Sequence, residues 1–318
     1  MKITVIGPGR WGSLITWYVD SLGHDVTLYG IKGTPEIEGF LKDRKNGLLE
    51  LPQSVNVTTD ISCVKTSEVI IISIPSQRLQ DLFNQLSELN LKDKIFVLCM
   101  KGIEISTGRR LSQIAEDSTD PSNKVAVWIG PGHVQEFYHG IPNCMVIDSN
   151  HDDVKDLLID ELSGNLIRFY FGTDLIGNEI GAAAKNVIGI AAGMLDGIGL
   201  SSLKGALMAR GTREIARLIK AEGGNEMSAY GLCHLGDYEA TVFSKYSHNR
   251  QYGESFIKKE KYESLAEGYY TVQALMDMAE KDKVELPICS TVYDILYNGK
   301  EPRKALDELF SRRLTKEF

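Results

Sequence analysis

The sequence predicts an α/β protein in which an N-terminal, doubly wound parallel sheet is followed by a mostly α-helical C-terminal domain. Two observations support this fold class. Short runs of β-branched residues alternate with helix-like stretches as far as about residue 173, and few strand signals follow. Such alternation is typical of βαβ units, and a length of 318 residues suits two domains. We therefore expect one domain over residues 1–173 and a second over residues 174–318.

Six apolar runs in the first half of the chain predict strands, at residues 2–6, 25–29, 69–74, 95–100, 125–129 and 145–147. The run VIIISI at 69–74 is apolar on both faces, which is typical of a parallel strand covered by helices on each side. Helices are expected between strands at residues 13–22 and 79–88. The second domain is expected to contain helices at residues 180–195, 204–222, 267–281 and 304–313.

The charge balance of the chain is acidic. Lys and Arg number 35 against 43 Asp and Glu, which gives a net charge of −8. Broad binding to nucleic acid or to an anionic membrane needs a basic surface, so neither is expected. A small phosphorylated substrate is compatible with this balance, because a few local Lys or Arg side chains can hold one phosphate.

The five cysteines are odd in number and widely spaced, and no Cys-x-x-Cys motif occurs. This pattern argues against a disulfide framework and against a zinc site, so no metal is expected. No stretch approaches the roughly 20 apolar residues that cross a bilayer. We therefore expect a cytoplasmic protein without stable membrane insertion, and we name a homodimer because it is the commonest soluble oligomer.

A glycine-rich turn follows the first predicted strand directly. Gly7, Gly9 and Gly12 have the spacing G-x-G-x-x-G, and Arg10 and Trp11 lie between the last two glycines. In a Rossmann-type βαβ unit these glycines allow a tight turn, backbone approach to a pyrophosphate and close packing of helix on strand. The helix that follows presents its N–H groups to the phosphates. The turn therefore predicts binding of a dinucleotide.

The choice between NAD and NADP stays open at this stage. The second strand ends Tyr29-Gly30-Ile31-Lys32, without the acidic residue that holds the ribose 2′-hydroxyl of NAD. Lys32 is either a contact for a 2′-phosphate or a solvated surface lysine. The cofactor is accordingly predicted as NAD or NADP.

Three further segments follow predicted strands at the edge where doubly wound sheets bind ligands. Pro75 lies in a loop of small residues, Lys101 follows the run 95–100, and Gly130 follows the run 125–129. Each segment is either part of the ligand site or an ordinary turn, since Pro, Ser and Gly favour turns in any case.

Lys185 and Asn186 lie in a stretch of small and apolar residues, 181–193, that is expected to form a buried helix. A buried lysine is costly unless it has partners, and such a lysine suits general acid–base chemistry. The alternative is a lysine that reaches solvent from one end of the helix. Asp237, in a polar segment of the same domain, is a candidate partner for Lys185.

The ordered set of motifs resembles the NAD(P)-dependent glycerol-3-phosphate dehydrogenases over nearly the whole chain. The motifs are GPGRWG at 7–12, IPS at 74–76, KGIE at 101–104, GP at 130–131, AAAKNVIGIAAG at 182–193, LGD at 235–237, SHNRQYG at 247–253 and AEGY at 266–269. The resemblance implies reversible hydride transfer between NAD(P)H and dihydroxyacetone phosphate, giving sn-glycerol 3-phosphate for phospholipid synthesis.

The resemblance also implies roles for individual residues. Lys185 is the implied proton donor and acceptor, Lys101 the residue that holds the substrate and polarises its carbonyl, and Asp237 the residue that orients the lysines. The other implied substrate contacts are Gly130, Asn186, Thr241, Ser247, His248 and Asn249. The implied cofactor contacts are Gly7, Gly9, Arg10, Trp11, Gly12, Lys32, Pro75, Val134, His248 and Glu267.

The chain departs from the family pattern where the substrate phosphate is held. The family usually has Arg at the position of His248, and imidazole lacks the bidentate grip of a guanidinium. Gly132 and Arg10 are further departures, and Arg250 and His133 are candidates to compensate. Two alternatives therefore remain: a lysine-dependent dehydrogenase for another hydroxy or keto compound, and a non-catalytic dinucleotide sensor.

Overall fold

Eight strands form one sheet in the first part of the chain. They are β1 (Lys2–Ile6), β2 (Asp25–Tyr29), β3 (Asn56–Thr58), β4 (Val69–Ile72), β5 (Ile95–Leu98), β6 (Lys124–Ile129), β7 (Asn143–Ser149) and β8 (Ile167–Phe171). Their order across the sheet is β3-β2-β1-β4-β5-β6-β7-β8. All neighbouring pairs are parallel except β6 and β7, which are antiparallel.

This computed structural model describes residues 1–313 and 316, and contacts within it group them into two units. The first unit comprises Met1–Lys101 and Arg109–Glu179, and the second comprises Gly102–Gly108 and the chain from Ile180 onward. The boundary expected after residue 173 lies a few residues before the boundary between Glu179 and Ile180. The segment Gly102–Gly108, expected in the first domain, groups with the second unit.

The centre of the sheet is apolar on both faces. Ile3 and Val5 of β1 point to one face and Thr4 and Ile6 to the other, and all four are at most 2% exposed. Both faces are covered, as expected for a doubly wound sheet. The strand order reverses at β1, which pairs with β2 on one side and β4 on the other. The predicted doubly wound fold class is confirmed, and ligands of such sheets bind where the order reverses.

The helices of the first part are α1 (Arg10–Ser21), α2 (Pro35–Asp43), α3 (Leu79–Ser87), α4 (Leu111–Ser118), α5 (Val134–Tyr138) and α6 (Asp152–Leu162). Only α1 and α3 were predicted from the sequence. Strands β3 and β8 were also not predicted. β3 has three residues, and in β8 only Ile167 and Phe169 are buried, so neither carries a long apolar run.

The second unit is mostly helical, as predicted. Its helices are α7 (Leu175–Gly197), α8 (Lys204–Ala221), α9 (His248–Lys258), α10 (Glu267–Asp282), α11 (Pro287–Tyr297) and α12 (Pro302–Phe310). The first residues of α7, up to Glu179, group with the first unit. A π-helical segment, Glu239–Phe243, precedes α9. Among the described residues, no helix is both long and apolar enough to cross a membrane.

Helices α7 and α9 pack with their backbones in contact. A Cβ atom added at Gly193 of α7 would lie 1.9 Å from the carbonyl oxygen of Arg250, and one added at Gly253 of α9 would lie 2.1 Å from that of Ile190. Only glycine fits at either position. This close approach fixes the polar start of α9 against the middle of α7.

Glu214 of α8 holds the start of α11. Its buried carboxylate accepts hydrogen bonds from the backbone N–H groups of Ile288, at 2.8 Å, and Cys289, at 2.9 Å. These are N–H groups that a helix start leaves without intrahelical partners, and the positive end of the helix favours a carboxylate. Burial raises the pKa of Glu214, against the opposing effect of these hydrogen bonds.

Candidate active site

The glycine turn after β1 has the geometry that its sequence predicts. Gly7 has a φ of +110°, and a Cβ atom there would lie 2.2 Å from the carbonyl oxygen of Ser73. A Cβ atom at Gly12 would lie 1.9 Å from the carbonyl oxygen of Gly7. At Gly9, by contrast, it would meet nothing within 4 Å. Two glycines therefore permit close packing, and the third leaves the backbone accessible.

The N-terminus of α1 lies at this turn. Gly9 is the N-cap residue and brings no side-chain hydrogen bond, and the first turn of the helix holds no acidic residue. The exposed Arg10 is the first helical residue. A helix start with accessible N–H groups and a local cation suits a phosphate, so the turn fits the pyrophosphate of a dinucleotide.

The other predicted cofactor contacts of the first unit differ in exposure. Lys32 and Pro75 are exposed, near the ends of β2 and β4. Val134 is buried in the hydrophobic core, and Trp11 packs edge-to-face on Phe137 of the same core at 5.9 Å. The side chains of Val134 and Trp11 thus contribute to packing, and a cofactor contact from either stays a prediction.

Lys101 and Gly130 lie together at the carboxyl ends of the neighbouring strands β5 and β6. The Nζ atom of Lys101 donates a hydrogen bond to the carbonyl oxygen of Gly130 at 2.6 Å. Gly130 has a φ of +149°, and a Cβ atom there would lie 2.9 Å from the Cα atom of Met145. A glycine is needed at this turn, and the turn orients the ammonium group of Lys101.

Lys185 is buried in α7 beside two polar side chains. Its Nζ atom lies 2.8 Å from the Oδ2 atom of Asp237 and donates a hydrogen bond to the Oγ1 atom of Thr241, also at 2.8 Å. The Thr241 hydroxyl in turn donates to the carbonyl oxygen of Asp237 at 2.7 Å. Lys185, Asp237 and Thr241 are 8%, 1% and 2% exposed, so this is a nearly dry ion pair.

Asn186 follows Lys185 on α7 and is joined to α9. The Nδ2 atom of Asn249 donates to the Oδ1 atom of Asn186 at 3.0 Å, and the Oδ1 atom of Asn249 accepts from the N–H group of Gly268 at 2.9 Å. Glu267 is the first residue of α10, next to Gly268. The structure therefore brings three predicted site residues of the second unit to one place.

Ser247 and His248 form the start of α9, a segment that the sequence indicated only as a polar stretch. Ser247 is the N-cap residue, and its hydroxyl accepts a hydrogen bond from the N–H group of Arg250. The Nδ1 atom of His248 lies 2.7 Å from the hydroxyl oxygen of Tyr262. His248 is thus oriented by a tyrosine that the sequence did not indicate.

Arg250 is not oriented as a substitute for the missing arginine. Its Nη1 atom lies 2.6 Å from Asp196 and 3.0 Å from Glu254, and its Nε atom donates to the carbonyl oxygen of Ser244. Asp196 also binds Lys204 at 2.6 Å. This network joins α7, α8 and α9. Asp196 was missed, although an acidic residue near the end of an apolar helix was a usable signal.

His234 was also missed in the sequence, and it supports the segment that carries Asp237. The residue is fully buried, with its Nδ1 atom 2.8 Å from the carbonyl oxygen of Gly181 and its Nε2 atom 2.7 Å from the hydroxyl of Tyr238. The carbonyl can only accept, so Nδ1 carries the proton and Nε2 accepts from Tyr238. Burial lowers the pKa of His234 to about 4, although Asp237 acts in the opposite direction.

Replacing His234 with glutamine is expected to remove part of the pH dependence of stability. Between pH 6.5 and about 4, the unfolded chain binds a proton at His234 and the folded chain does not. His234 therefore makes its full contribution to the free energy of unfolding above pH 6.5. This contribution falls by roughly 3 kcal/mol as the pH is lowered toward 4. Urea unfolding of the wild type and of His234→Gln at pH 7 and pH 4.5 measures how much unfolding free energy each protein loses between the two pH values. Equal losses in wild type and variant would contradict the assignment.

The fold, the glycine turn of the first unit and the polar side chains around Lys185 in the second unit define a class of protein. This class is the dinucleotide-dependent oxidoreductases with a helical second domain. Family models for the N-terminus and C-terminus of NAD-dependent glycerol-3-phosphate dehydrogenase match residues 2–155 and 174–307. The chain belongs to this NAD(P)-dependent glycerol-3-phosphate dehydrogenase family.

Individual relatives agree with the family assignment. The chain is 33% identical to the glycerol-3-phosphate dehydrogenase [NAD(P)+] of Thermoanaerobacter sp. (strain X514), over 98% of this chain and 97% of the relative. It is also 33% identical to the glycerol-3-phosphate dehydrogenase [NAD(P)+] of Chlorobium phaeobacteroides (strain BS1), over 100% of this chain and 99% of the relative. The crystal structure of glycerol-3-phosphate dehydrogenase from Coxiella burnetii is similar, with 25% identity, a TM-score of 0.90 and coverage of 98% and 99%.

Proposed function

We propose that this protein catalyses the reversible reduction of dihydroxyacetone phosphate to sn-glycerol 3-phosphate with NADH or NADPH. The observation that carries the proposal is the buried Lys185 ammonium group, placed 2.8 Å from both Asp237 and Thr241. A buried cation next to polar partners suits stabilisation and protonation of an oxygen that gains negative charge. Membership of the family supplies the substrate in this proposal.

The residues of the second unit would handle the proton. When bound, the reduced nicotinamide supplies the hydride to the substrate carbonyl carbon. Lys185 donates a proton to the carbonyl oxygen as its charge develops, and in the reverse direction it accepts that proton. Asp237 stabilises the ammonium group and, with Thr241, fixes its position, which costs no reorganisation during the reaction.

The remaining polar groups would bind the substrate. In this proposal Lys101 polarises the carbonyl and is held in place by the carbonyl oxygen of Gly130. Asn186 and Asn249 contact the hydroxyl groups, and their mutual hydrogen bond keeps both amides in fixed orientations. Ser247 and His248 lie at the start of α9, where helix N–H groups favour a phosphate.

The first unit would hold the dinucleotide at the glycine turn. The pyrophosphate would bind the N-terminus of α1, where the accessible Gly9 leaves room for it. A Cβ atom at Gly30 would lie 2.7 Å from Pro8 and 2.8 Å from Ile37, so no acidic side chain fits at position 30, directly after β2. The lack of a carboxylate for the 2′-hydroxyl supports use of both NAD and NADP.

The proposed activity is tested by following the absorbance of NADH and of NADPH with dihydroxyacetone phosphate and purified protein. Turnover with at least one cofactor is expected. Cofactor binding without turnover on this or any other carbonyl compound would support the alternative of a non-catalytic sensor. Turnover confined to carbonyl compounds without a phosphate would support the second candidate, a related dehydrogenase for another substrate.

His248 is the observation that favours this second candidate, and it provides a sharper test. The change His248→Arg is expected to lower the KM for dihydroxyacetone phosphate about tenfold with little change in kcat, because a guanidinium binds phosphate through two charge-assisted hydrogen bonds. His139→Arg, at an exposed histidine of the first unit, is the matched control. An unchanged KM in His248→Arg would mean that this position does not contact the substrate phosphate.

We further propose the cellular setting that the family implies. The protein would work in the cytoplasm as a homodimer and supply glycerol phosphate for phospholipids. Five free cysteines, all in the described residues, support a reducing compartment. Size-exclusion chromatography with light scattering tests the oligomeric state.

A further inference from the structure

Lys204 is a buried lysine of the second unit that the proposed reaction does not use. It is the first residue of α8 and is 7% exposed. Its Nζ atom lies 2.6 Å from the Oδ2 atom of Asp196 and donates a hydrogen bond to the carbonyl oxygen of Val242 at 3.1 Å. A buried ammonium group is costly unless it has such partners. These two partners therefore indicate what the lysine does in the fold.

Asp196 joins Lys204 to a second cation. The Nη1 atom of Arg250 lies 2.6 Å from Asp196 and 3.0 Å from Glu254. Burial acts to raise the pKa of Asp196, but hydrogen bonds from Lys204, Ser201 and Arg250 outweigh it and lower this pKa. Asp196 is therefore ionised at neutral pH, and each cation has a carboxylate partner. We call Asp196, Lys204 and Arg250 the Asp196 network.

Both cations of the Asp196 network also bind the end of the π-helical segment Glu239–Phe243. The lysine donates to the carbonyl oxygen of Val242, and the arginine donates to that of Ser244 at 3.1 Å. A helix end leaves carbonyl groups without intrahelical partners and carries partial negative charge, so cations stabilise it. π-helical turns are rare and occur frequently at functional sites. The network thus holds the end of the segment that carries Thr241.

One face of α7 contacts both the Asp196 network and Thr241. Lys185, Gly189, Gly193 and Asp196 follow one another at spacings of four, four and three residues, which places them on the same face. A Cβ atom at Gly189 would lie 2.7 Å from the Cγ2 atom of Thr241, so Thr241 packs directly on this helix. Asp196 lies roughly 16 Å from Lys185 along the helix axis.

We propose that Lys204 is a positioning residue for the reaction, which holds the π-helical segment so that Thr241 keeps the Lys185 ammonium group in place. This inference rests on the proposed function of Lys185. The network lies too far from Lys185 for a hydrogen bond and its charges are paired, so it acts through the position of the backbone. A misplacement of about 1 Å can lower a rate about 100-fold. The alternative is an ion pair that joins α7 to α8 and contributes only to stability.

The role is tested by the kinetics of Lys204→Met, in which an apolar chain of similar length replaces the ammonium group. We expect kcat for dihydroxyacetone phosphate to fall at least about tenfold, with both KM values changed less than about threefold, because positioning of a proton donor affects the transition state. Lys204→Arg, which keeps a cationic donor, is expected to retain kcat within about threefold of the wild type. Lys220→Met, at an exposed lysine of the same helix, is the control and is expected to leave kcat unchanged.

Coupling to Thr241 separates positioning from stability. Thr241→Val removes the hydroxyl group that bonds Lys185. In this background Lys204→Met is expected to lower kcat less than about threefold, because the link between the two lysines is already lost. Two independent, multiplicative losses would overturn the proposal. A Lys204→Met enzyme that unfolds at a lower urea concentration but keeps the kcat of the wild type would also overturn it, in favour of a purely stabilising ion pair.

Hydrogen exchange tests the same anchor without substrate. In Lys204→Met, the amides of residues 239–247 are expected to exchange at least about tenfold faster than in the wild type, while those of α10 are unchanged. If Lys204→Met does not fold, Lys204→Gln takes its place in every measurement. Unchanged exchange in this segment of an active enzyme would overturn the role of Lys204 alone. A wild-type protein that reduces no carbonyl compound would instead contradict the proposed function, and with it the catalytic consequence drawn for Lys204.

Discussion

Replacing Lys185 with alanine is expected to lower kcat by about 10²–10⁴-fold, the usual contribution of a positioned general acid. Dihydroxyacetone phosphate can still be bound through other groups, but no ammonium group then protonates its carbonyl oxygen. Dinucleotide affinity is expected to stay nearly intact, because the glycine turn lies in the other unit. Absorbance assays give kcat, and calorimetry with NADH gives the affinity.

The matched control for this variant is Lys220→Ala. Lys220 is an exposed lysine on α8, paired only at the surface with Glu226 at 3.2 Å. Its loss is expected to leave kcat unchanged. Circular dichroism shows whether each variant folds. A folded Lys185→Ala enzyme with kcat near that of the wild type would contradict the proton-transfer role, and loss of folding would show that the role of the residue is structural.

Replacing Asp237 with alanine is expected to reduce the free energy of unfolding by about 3–5 kcal/mol, because it leaves the Lys185 ammonium group buried without its counter-charge. Turnover is expected to fall as well, since the ammonium group loses the partner that orients it. Glu239→Ala, two residues along at an exposed acidic side chain, is the control, with an expected effect within about 0.5 kcal/mol. Urea unfolding at pH 7 measures both.

The double variant Lys185→Met/Asp237→Leu separates the structural role of the pair from the catalytic one. Replacing both members of a buried ion pair with apolar residues of similar size is often neutral for stability. We therefore expect this variant to recover most of the stability that Asp237→Ala loses, while its turnover stays as low as that of Lys185→Ala. If Asp237→Ala is no less stable than Glu239→Ala, the buried ion pair does not make the contribution described here.

The sequence was sufficient to predict those features whose structure depends on residues that are neighbours in the chain. The run 2–6, the G-x-G-x-x-G turn and the start of α1 are contiguous, so their geometry follows from steric rules for strand, glycine and helix start. Lys185 was identified because a charge in a run of small apolar residues needs a partner. The run 69–74 was found as a buried strand because it is apolar on both faces.

Contacts between distant segments could not be derived in this way. Asp237 was named only as a candidate partner of Lys185, and Thr241 only through the family resemblance, because the segment that carries them includes a π-helix without a periodic signal and lies more than fifty residues along the chain. His234 was missed because its role depends on the distant carbonyl of Gly181. The position of Asp196 near the end of an apolar helix was a usable signal, but its partner Arg250 could not be derived from the sequence. The antiparallel pairing of β6 and β7 was also not anticipated, since neighbouring apolar runs do not indicate direction.

The most direct test of the proposed function is the fate of the hydride. Wild-type protein is incubated with dihydroxyacetone phosphate and NADH or NADPH deuterated at the transferable position, and the products are analysed by mass spectrometry. The proposal predicts glycerol 3-phosphate with a single deuterium on its central carbon, and almost none of this product from Lys185→Ala. Absence of glycerol 3-phosphate, or a product without deuterium, would contradict it.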